Sequence, residues 1–167
     1  SLEELVQEFD LKRVSKSGAK FSPDKAHWFN QQYMQTTANG VLTDAYITVL
    51  KEKGITKDAA FVSSVVASIK ERAVFVNDFW SLSSFFFESP KEFDQKAVKK
   101  NWKEDTSELM CRLIAVLSAI ENFSSENTEK IVKEWITENE ISFGKIMQPL
   151  RLSLVGKLAG PHLFDII

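Results

Sequence analysis

Apolar residues recur at helical spacing along this 167-residue chain, and that periodicity restricts its possible folds more than any other feature. Between Leu42 and Leu50, for example, apolar side chains stand at positions 42, 45, 46, 49 and 50, which places them on one face of a helix. No segment alternates apolar and polar residues long enough to favour a strand. The sequence therefore predicts an all-α fold, a helical bundle of two packed subdomains.

Capping and turn residues predict where several helices begin and end. Ser22-Pro23 combines a capping hydroxyl with a proline at the first helical position and opens a helix. Asn39-Gly40 is expected to end that helix, Gly54 to end the next one, and Thr56 to cap the helix after it. Further helices are expected over residues 93–102, 106–122 and 126–138, and from residue 142 onward.

The start of the chain resembles the start of a helix and not a signal peptide. Ser1 and Glu4 have the spacing of a capping box, so we expect the chain to begin inside a longer protein. No apolar run approaches the roughly 18 residues that a membrane span needs. The lone cysteine, Cys111, is expected to be a small buried hydrophobe rather than a catalytic thiol, and a reducing cytoplasm fits.

A boundary between two subdomains is expected at residues 87–91, where an apolar segment gives way to Glu-Ser-Pro-Lys. Residues 74–87 are rich in aromatic rings and contain no Lys or Arg, so most of these rings are predicted to be core rather than a base-stacking platform. The chain shows no internal repeat and no low-complexity linker. Residues 1–88 and 89–167 are therefore expected to be two helical subdomains packed together.

Charge is distributed unevenly along the chain. The net charge of −2 argues against indiscriminate binding to nucleic acid, which requires many phosphate contacts from Lys and Arg. Residues 11–27 nevertheless carry five basic side chains against one acidic, and residues 144–167 carry three against one. This asymmetry is compatible with an RNA-binding face built from distant segments, a solvated surface being the alternative.

The usual sequence marks of catalysis are missing. The two histidines, His27 and His162, have no Cys, Asp or Glu at metal-ligand spacing. There is no Gly-rich phosphate loop, nucleophile elbow or His-Glu-x-x-His motif, and acid pairs such as Glu3-Glu4 are interpreted as solvated helix faces. We therefore expect no catalytic residue, metal or cofactor in this chain, and a binding function instead.

Four motifs follow one another along the chain in a distinctive order. They read FDLKRVSKSGAKFSPDK and WFNQQY within residues 9–33, IKERA at 69–73, SFFFESP at 84–90, and GKIMQPLRLSLVG and GPHLFDII within 144–167. Together they resemble the C-terminal, anticodon-binding region of bacterial-type glutamyl-tRNA synthetases, a family of class I aminoacyl-tRNA synthetases. The resemblance covers essentially the whole chain.

The resemblance implies an RNA-binding module that recognises the anticodon of the glutamate-accepting tRNA. The parent enzyme would be a cytoplasmic, monomeric glutamate-tRNA ligase whose other half attaches glutamate to tRNA with ATP and Mg²⁺. This chain alone is not expected to aminoacylate, and no membrane partner is implied. Two alternatives stay open: a non-discriminating synthetase that charges glutamate and glutamine acceptors, and a helical protein-interaction scaffold.

The resemblance also assigns tRNA contacts to particular residues. Anticodon recognition falls on Arg151 and on the turn Gly160, Pro161, His162 and Leu163, and the third anticodon base falls on Arg72. Apart from the resemblance, Lys145 and Lys157 are expected to contact phosphate, which positions RNA without reading it. An arginine fork can bind two acceptors of a base, and a turn between helices exposes peptide groups that can read unstacked bases. The alternatives are a structural salt bridge for either arginine, and a His162 side chain that points away from RNA.

Pro149 and Gly160-Pro161 are predicted to separate two closing helices around that turn.

Overall fold

Helices form all the regular secondary structure that the computed structural model describes, which covers residues 1–14, 17–18 and 20–167. The all-α prediction is therefore confirmed. In those ranges none of the helices has both the length and the apolar character needed to cross a membrane. Lys16, one of the basic residues near the start, lies outside the described residues. The nine α-helices of the described ranges are α1 Leu2–Glu8, α2 Pro23–Thr36, α3 Asn39–Glu52, α4 Ala59–Ile69, α5 Asp78–Ser83, α6 Gln95–Asn101, α7 Thr106–Ser118, α8 Ser125–Glu138 and α9 Phe143–Val155.

Several predicted helix boundaries are confirmed by the capping hydrogen bonds. Ser1 and Glu4 form the expected capping box at the start of α1. The Ser22 hydroxyl accepts a hydrogen bond from the Lys25 backbone N–H at the start of α2, and Pro23 occupies the first turn. Gly54 follows α3 with a φ of 76°, the left-handed conformation that glycine adopts without a Cβ penalty.

Two predicted boundaries are wrong because other side chains cap the helices. Asn39 begins α3 instead of ending α2. Helix α2 ends at Thr36, and the Tyr33 carbonyl accepts both the Thr37 backbone N–H at 2.9 Å and the Thr37 hydroxyl at 2.6 Å, a side-chain contact that competes with further helix. Thr56 does not cap α4. Asp58 does so, since its carboxylate accepts from the Ala60 N–H at 2.9 Å, where a negative charge also favours the helix dipole.

Most of the buried apolar residues form two clusters, one on each side of residue 88. The first cluster, named the α3–α5 core, contains Met34, Leu42, Tyr46, Leu50, Val62, Val65, Val66, Ile69, Ala73 and Phe79. The second cluster, named the α7–α9 core, contains Leu113, Val132, Ile136, Ile146, Leu150, Leu163 and Phe164. Each cluster draws on helices that follow one another in sequence.

The aromatic segment 74–87 is less buried than predicted. Phe79 is fully buried, whereas Phe75 is 48% exposed. Trp80, Phe86 and Phe87 are partly buried and pack against the α3–α5 core. Several of these rings do pack against the core as predicted, but most are not completely buried. Consecutive residues in short helical turns point in several directions, so they cannot all face the core.

Cys111 is exposed, so its predicted burial is wrong. Helix α7 buries Leu113 and partly buries Leu109, Met110 and Leu117 against the α7–α9 core. Successive helical residues are rotated by about 100°, so Cys111, two positions before Leu113, faces the opposite side. Apolar residues around Cys111 occupy more of the α7 surface than the neighbouring helices cover, so some of them are exposed.

Tyr46 is fully buried, and its hydroxyl lies 2.7 Å from the Ser83 hydroxyl. Ser83 in turn donates to the Phe79 carbonyl at 2.7 Å, which leaves Tyr46 as the donor of the pair. Burial raises the pKa of Tyr46, and the hydrogen bond with Ser83 opposes that rise. The folded chain therefore binds the phenolic proton more tightly than the unfolded chain.

We expect Tyr46→Phe to lower the free energy of unfolding at neutral pH by about 0.5–1.5 kcal/mol, the value of one buried hydrogen bond. A raised folded pKa contributes stability below the unfolded pKa of about 10 and loses it as pH rises further. The gap between wild type and variant should thus narrow above pH 10 in urea unfolding. Tyr33→Phe is the control, since Tyr33 is 68% exposed; an unchanged gap at high pH would contradict the prediction.

Candidate nucleic-acid interface

The closing segment of the chain is one helix followed by a turn, and the prediction of two helices separated at Pro149 is wrong. Pro149 lies buried inside α9. The helix ends at Gly156, which has a φ of 78°. After it come an irregular turn and the 3-10 helix Leu163–Asp165. This arrangement places the α9 side chain of Arg151 beside the turn at residues 160–163.

Arg151 is held against the turn by a backbone contact. Its Nη1 donates to the Pro161 carbonyl at 2.8 Å. Gly160 makes room for this contact, because a Cβ at that position would lie 3.3 Å from Nη1. Among the described residues no carboxylate lies within salt-bridge distance of Arg151, so the salt-bridge alternative is not observed. The remaining guanidinium donors are free for another acceptor.

Arg151 shares a cleft of about 450 Å³ with two other cations. The cleft is lined by Ile69, Arg72, Leu82, Arg151, Lys157, Leu158, Ala159 and Gly160. Partial burial, and then the like charge of Arg72, lower the pKa of the Arg151 guanidinium, which still stays protonated at neutral pH. Among the residues that the structure describes, no carboxylate lines the cleft to compensate these charges. An acceptor-rich or anionic ligand would be electrostatically favoured there.

The turn at residues 160–163 is held by its own carbonyls: Pro161 accepts from Arg151, His162 from the Asp165 N–H and Leu163 from the Ile166 N–H. Pro161 is buried, and Leu163 is only 3% exposed within the α7–α9 core. His162 is exposed, and its ring nitrogens lie 3.6 Å from a Glu129 oxygen and 3.7 Å from an Asp165 oxygen. The hydrophobic burial of the two flanking residues thus fixes the turn while His162 remains at the surface.

The two lysines expected to contact phosphate lie in different surroundings. Lys157 lines the cleft, and its Nζ lies 3.5 Å from the Ser81 carbonyl. Lys145, near the start of α9, pairs with Asp105 at 2.6 Å. That hydrogen bond lowers the pKa of Asp105. The structure therefore brings Arg72, Arg151, Lys157 and Gly160 together but not Lys145, which already has an anionic partner.

No group of three or more metal-ligating side chains is found in the described part of the chain.

A family model described as an anticodon binding domain matches residues 25–167, which is most of the chain. The chain belongs to the anticodon-binding domain family. The family suggested by the sequence motifs is thereby confirmed.

The anticodon-binding domain is closely similar to one part of longer proteins. It is 56% identical to a glutamate-tRNA ligase of Flavobacterium psychrophilum over 100% of this chain and 33% of the relative. The corresponding protein of Bacteroides thetaiotaomicron is 45% identical over 99% of this chain and 33% of the relative. The domain thus spans about a third of the length of these curated relatives.

Solved structures show the same fold. A crystal structure of a glutamate tRNA ligase from Elizabethkingia meningosepticum, in complex with its amino acid, superimposes with a TM-score of 0.93 at 39% identity. This match covers 100% of the anticodon-binding domain and 33% of that chain. A glutamate-tRNA synthetase from Elizabethkingia anophelis gives a TM-score of 0.86 at 38% identity, covering 99% and 32%.

Sequence reasoning missed the side chains that hold the Arg72 segment of the anticodon-binding domain. Arg72 lies in the 3-10 helix Lys70–Arg72. Three amide side chains of α2 donate to backbone carbonyls of this segment: Asn30 to Val74, and Gln31 and Gln35 to Glu71. Their sequence signal was the series of amides in WFNQQYMQ, but which loop they contact depends on tertiary packing.

Proposed function

We propose that this anticodon-binding domain reads the anticodon of the glutamate-accepting tRNA as part of a glutamate-tRNA ligase. The observation that carries the proposal is the cleft in which Arg72, Arg151 and Lys157 meet without a lining carboxylate. Flipped-out bases present several acceptors, and an arginine fork can bind two of them at once. The names of the relatives support glutamate as the amino acid.

Each residue of the site has a proposed role. Arg151 contacts an anticodon base with the guanidinium donors that Pro161 leaves free, and the peptide groups from Gly160 to Leu163 contact neighbouring bases. Arg72 contacts the third anticodon base. Lys157 binds a backbone phosphate, which positions RNA without reading it. Lys145 also binds phosphate in this proposal, in competition with Asp105.

We propose that the cleft lies between two subdomains. We propose that residues 1–88 and 89–167 are separate helical subdomains. Arg72 then belongs to the first subdomain, and Arg151 and Lys157 to the second. A base bound in the cleft would touch both subdomains, so anticodon recognition would depend on how the two are packed.

The chemical activity is proposed for the whole ligase and not for this domain. The ligase would attach glutamate to tRNA in the cytoplasm as a monomer. ATP and Mg²⁺ would bind in the two thirds of the ligase that this domain does not span. The domain would contribute selectivity, because binding energy gained at the anticodon helps to place the acceptor end for reaction.

We expect Arg151→Ala to weaken tRNA binding by roughly 1–3 kcal/mol and to blur discrimination at one anticodon position, since a bidentate base contact is lost. Arg151→Lys should restore part of the affinity but not the discrimination, because an ammonium lacks the fork. The measurement is fluorescence anisotropy of labelled glutamate-acceptor tRNA and of anticodon variants at one fixed salt concentration.

Arg112→Ala is the matched control, because Arg112 is an exposed α7 residue that hydrogen-bonds to Asn139 away from the cleft. Equal affinity of the wild-type domain for cognate and altered anticodons would contradict the proposal. Equal binding to glutamate and glutamine anticodons would instead indicate a non-discriminating synthetase. RNA affinity that does not fall with added salt would count against phosphate contacts and favour a protein-interaction scaffold.

A further inference from the structure

We propose that Gln31 and Gln35 are positioning residues that orient Arg72 and thereby set selectivity for the third anticodon base. This inference rests on the proposed function, since it takes Arg72 to be a base-reading residue. Neither glutamine lines the cationic cleft. We place their influence on the bound RNA in the backbone that carries Arg72, because both side chains donate to it.

Both glutamines converge on one carbonyl. Gln31 Nε2 donates to the Glu71 carbonyl at 3.0 Å, and Gln35 Nε2 donates to the same oxygen at 3.4 Å. The two residues are four positions apart in α2, so they lie on the same face of the helix. The Glu71 carbonyl belongs to the peptide bond whose nitrogen is that of Arg72. The two amides therefore hold the peptide plane next to the arginine.

The rest of the segment is fixed by other groups. The Asp78 carboxylate accepts from the Val74 N–H at 3.0 Å and from the Phe75 N–H at 2.8 Å. Asn30 donates to the Val74 carbonyl. Ala73 is fully buried in the α3–α5 core. These contacts secure the side of the segment that follows Arg72, whereas the glutamine pair secures the side that precedes it.

Arg72 needs this external support. The 3-10 helix Lys70–Arg72 has three residues, and such short helices are weakly held by their own hydrogen bonds. Among the described residues, the Arg72 guanidinium has neither a hydrogen bond nor an ion pair to anchor it. The like charge of Arg151 acts on it across the cleft. Repulsion between the two guanidiniums favours movement of the Arg72 segment away from Arg151. The hydrogen bonds from Gln31 and Gln35 to the Glu71 carbonyl oppose that movement.

The test is a double variant of the whole chain, Gln31→Met with Gln35→Met, which keeps side-chain length but removes both amide donors. Binding is measured to a fluorescent anticodon stem-loop RNA with either the cognate or an altered third anticodon base. We expect the selectivity ratio to fall by roughly 3–10-fold, because a displaced recognition group loses part of its geometric advantage. Selectivity at the base read by Arg151 should remain unchanged.

Gln32→Met is the matched control. Gln32 lies between the two positions in α2, and its side-chain amide has no hydrogen-bond partner in the described part of the chain. Circular dichroism melting of each variant verifies folding. A second comparison adds the double variant to Arg72→Ala. If the glutamines act through Arg72, the combined variant should be no less selective than Arg72→Ala alone.

The outcomes separate the inference from the proposed function. Loss of third-base selectivity in Arg72→Ala together with wild-type selectivity in the glutamine variant would overturn the inference and leave the proposed function intact. Unchanged selectivity in Arg72→Ala would overturn the base-reading role of Arg72, and the inference with it. Additive losses in the combined variant would show that the glutamines act by another route, which also overturns the inference.

Discussion

Gly156→Ala is expected to lower the free energy of unfolding by about 2–5 kcal/mol, as the sum of a backbone term and a steric term. The backbone term arises because Gly156 has a φ of 78° at the end of α9. The steric term arises because a Cβ there would lie 2.4 Å from the Glu92 carbonyl oxygen and 3.2 Å from the Pro90 Cβ. Backbone cannot move aside as a side chain can, so the contact at the end of α9 must open.

Gly54→Ala separates these two terms. Gly54 has nearly the same φ, 76°, at the end of α3, but an added Cβ would meet nothing within 4 Å. This control is expected to cost only the backbone term of about 1–2 kcal/mol. Urea unfolding monitored by circular dichroism gives both values. Equal losses in the two variants would refute the steric contribution at Gly156.

The substitution at Gly156 is also expected to affect the cationic cleft. The Gly156 carbonyl accepts a hydrogen bond from the Asp94 N–H at 2.8 Å, which attaches the segment before α6 to the end of α9. Lys157 follows directly in sequence and lines the cationic cleft. We expect Gly156→Ala to weaken tRNA binding as well, even at temperatures where the variant remains folded.

Phe79→Ala should destabilise the chain by about 3–5 kcal/mol, since it removes a large ring from the α3–α5 core and leaves a cavity. Phe79 is fully buried, and its ring meets the Tyr46 ring edge-on with centroids 5.3 Å apart. Phe75→Ala in the same segment is the control. Phe75 is 48% exposed, so its loss should cost less than about 1 kcal/mol.

Phe79→Ala also tests the proposed division into two subdomains. If residues 1–88 form a subdomain, hydrogen exchange should accelerate mainly in α3, α4 and α5, while amides in α8 and α9 keep most of their protection. Ile146→Ala, at a fully buried position of the α7–α9 core, should give the reverse pattern. Uniform loss of protection in both variants would instead indicate one cooperative unit.

Residues whose surroundings are set by neighbours in sequence were predictable, whereas those that depend on distant segments were not. The capping box of Ser1 and the cap at Ser22 involve partners three positions away, so local spacing sufficed. The exposure of Cys111 depends on which face of α7 meets α8 and α9, and its apolar neighbours gave no information on that. At α4 the local pattern offered two candidate caps, Thr56 and Asp58, and the Asp58 carboxylate is the one that accepts from the Ala60 N–H.

In the candidate site, individual residues were predictable from the sequence but their arrangement in space was not. The sequence pointed to Arg72, Arg151 and the turn at Gly160 as elements of a family pattern, and to Lys157 as a phosphate contact. They line one cleft although their segments are about 80 positions apart in sequence, which only the path of the folded chain determines. The Asp105 partner of Lys145, 40 positions away in sequence, had no local signal either.

The sequence by itself determined that this chain is helical and which family it belongs to. Helical periodicity, helix caps and the four motifs each involve residues that are close together in sequence, so they can be recognised without the fold. Only the tertiary structure decided which side chains act together. Packing brings two arginines into one cleft without a lining carboxylate, binds Arg151 to the Pro161 carbonyl, and places two glutamines against the peptide before Arg72. The physical reason is that contacts across 10 to 80 positions depend on the three-dimensional path of the chain, which no local pattern of residues encodes.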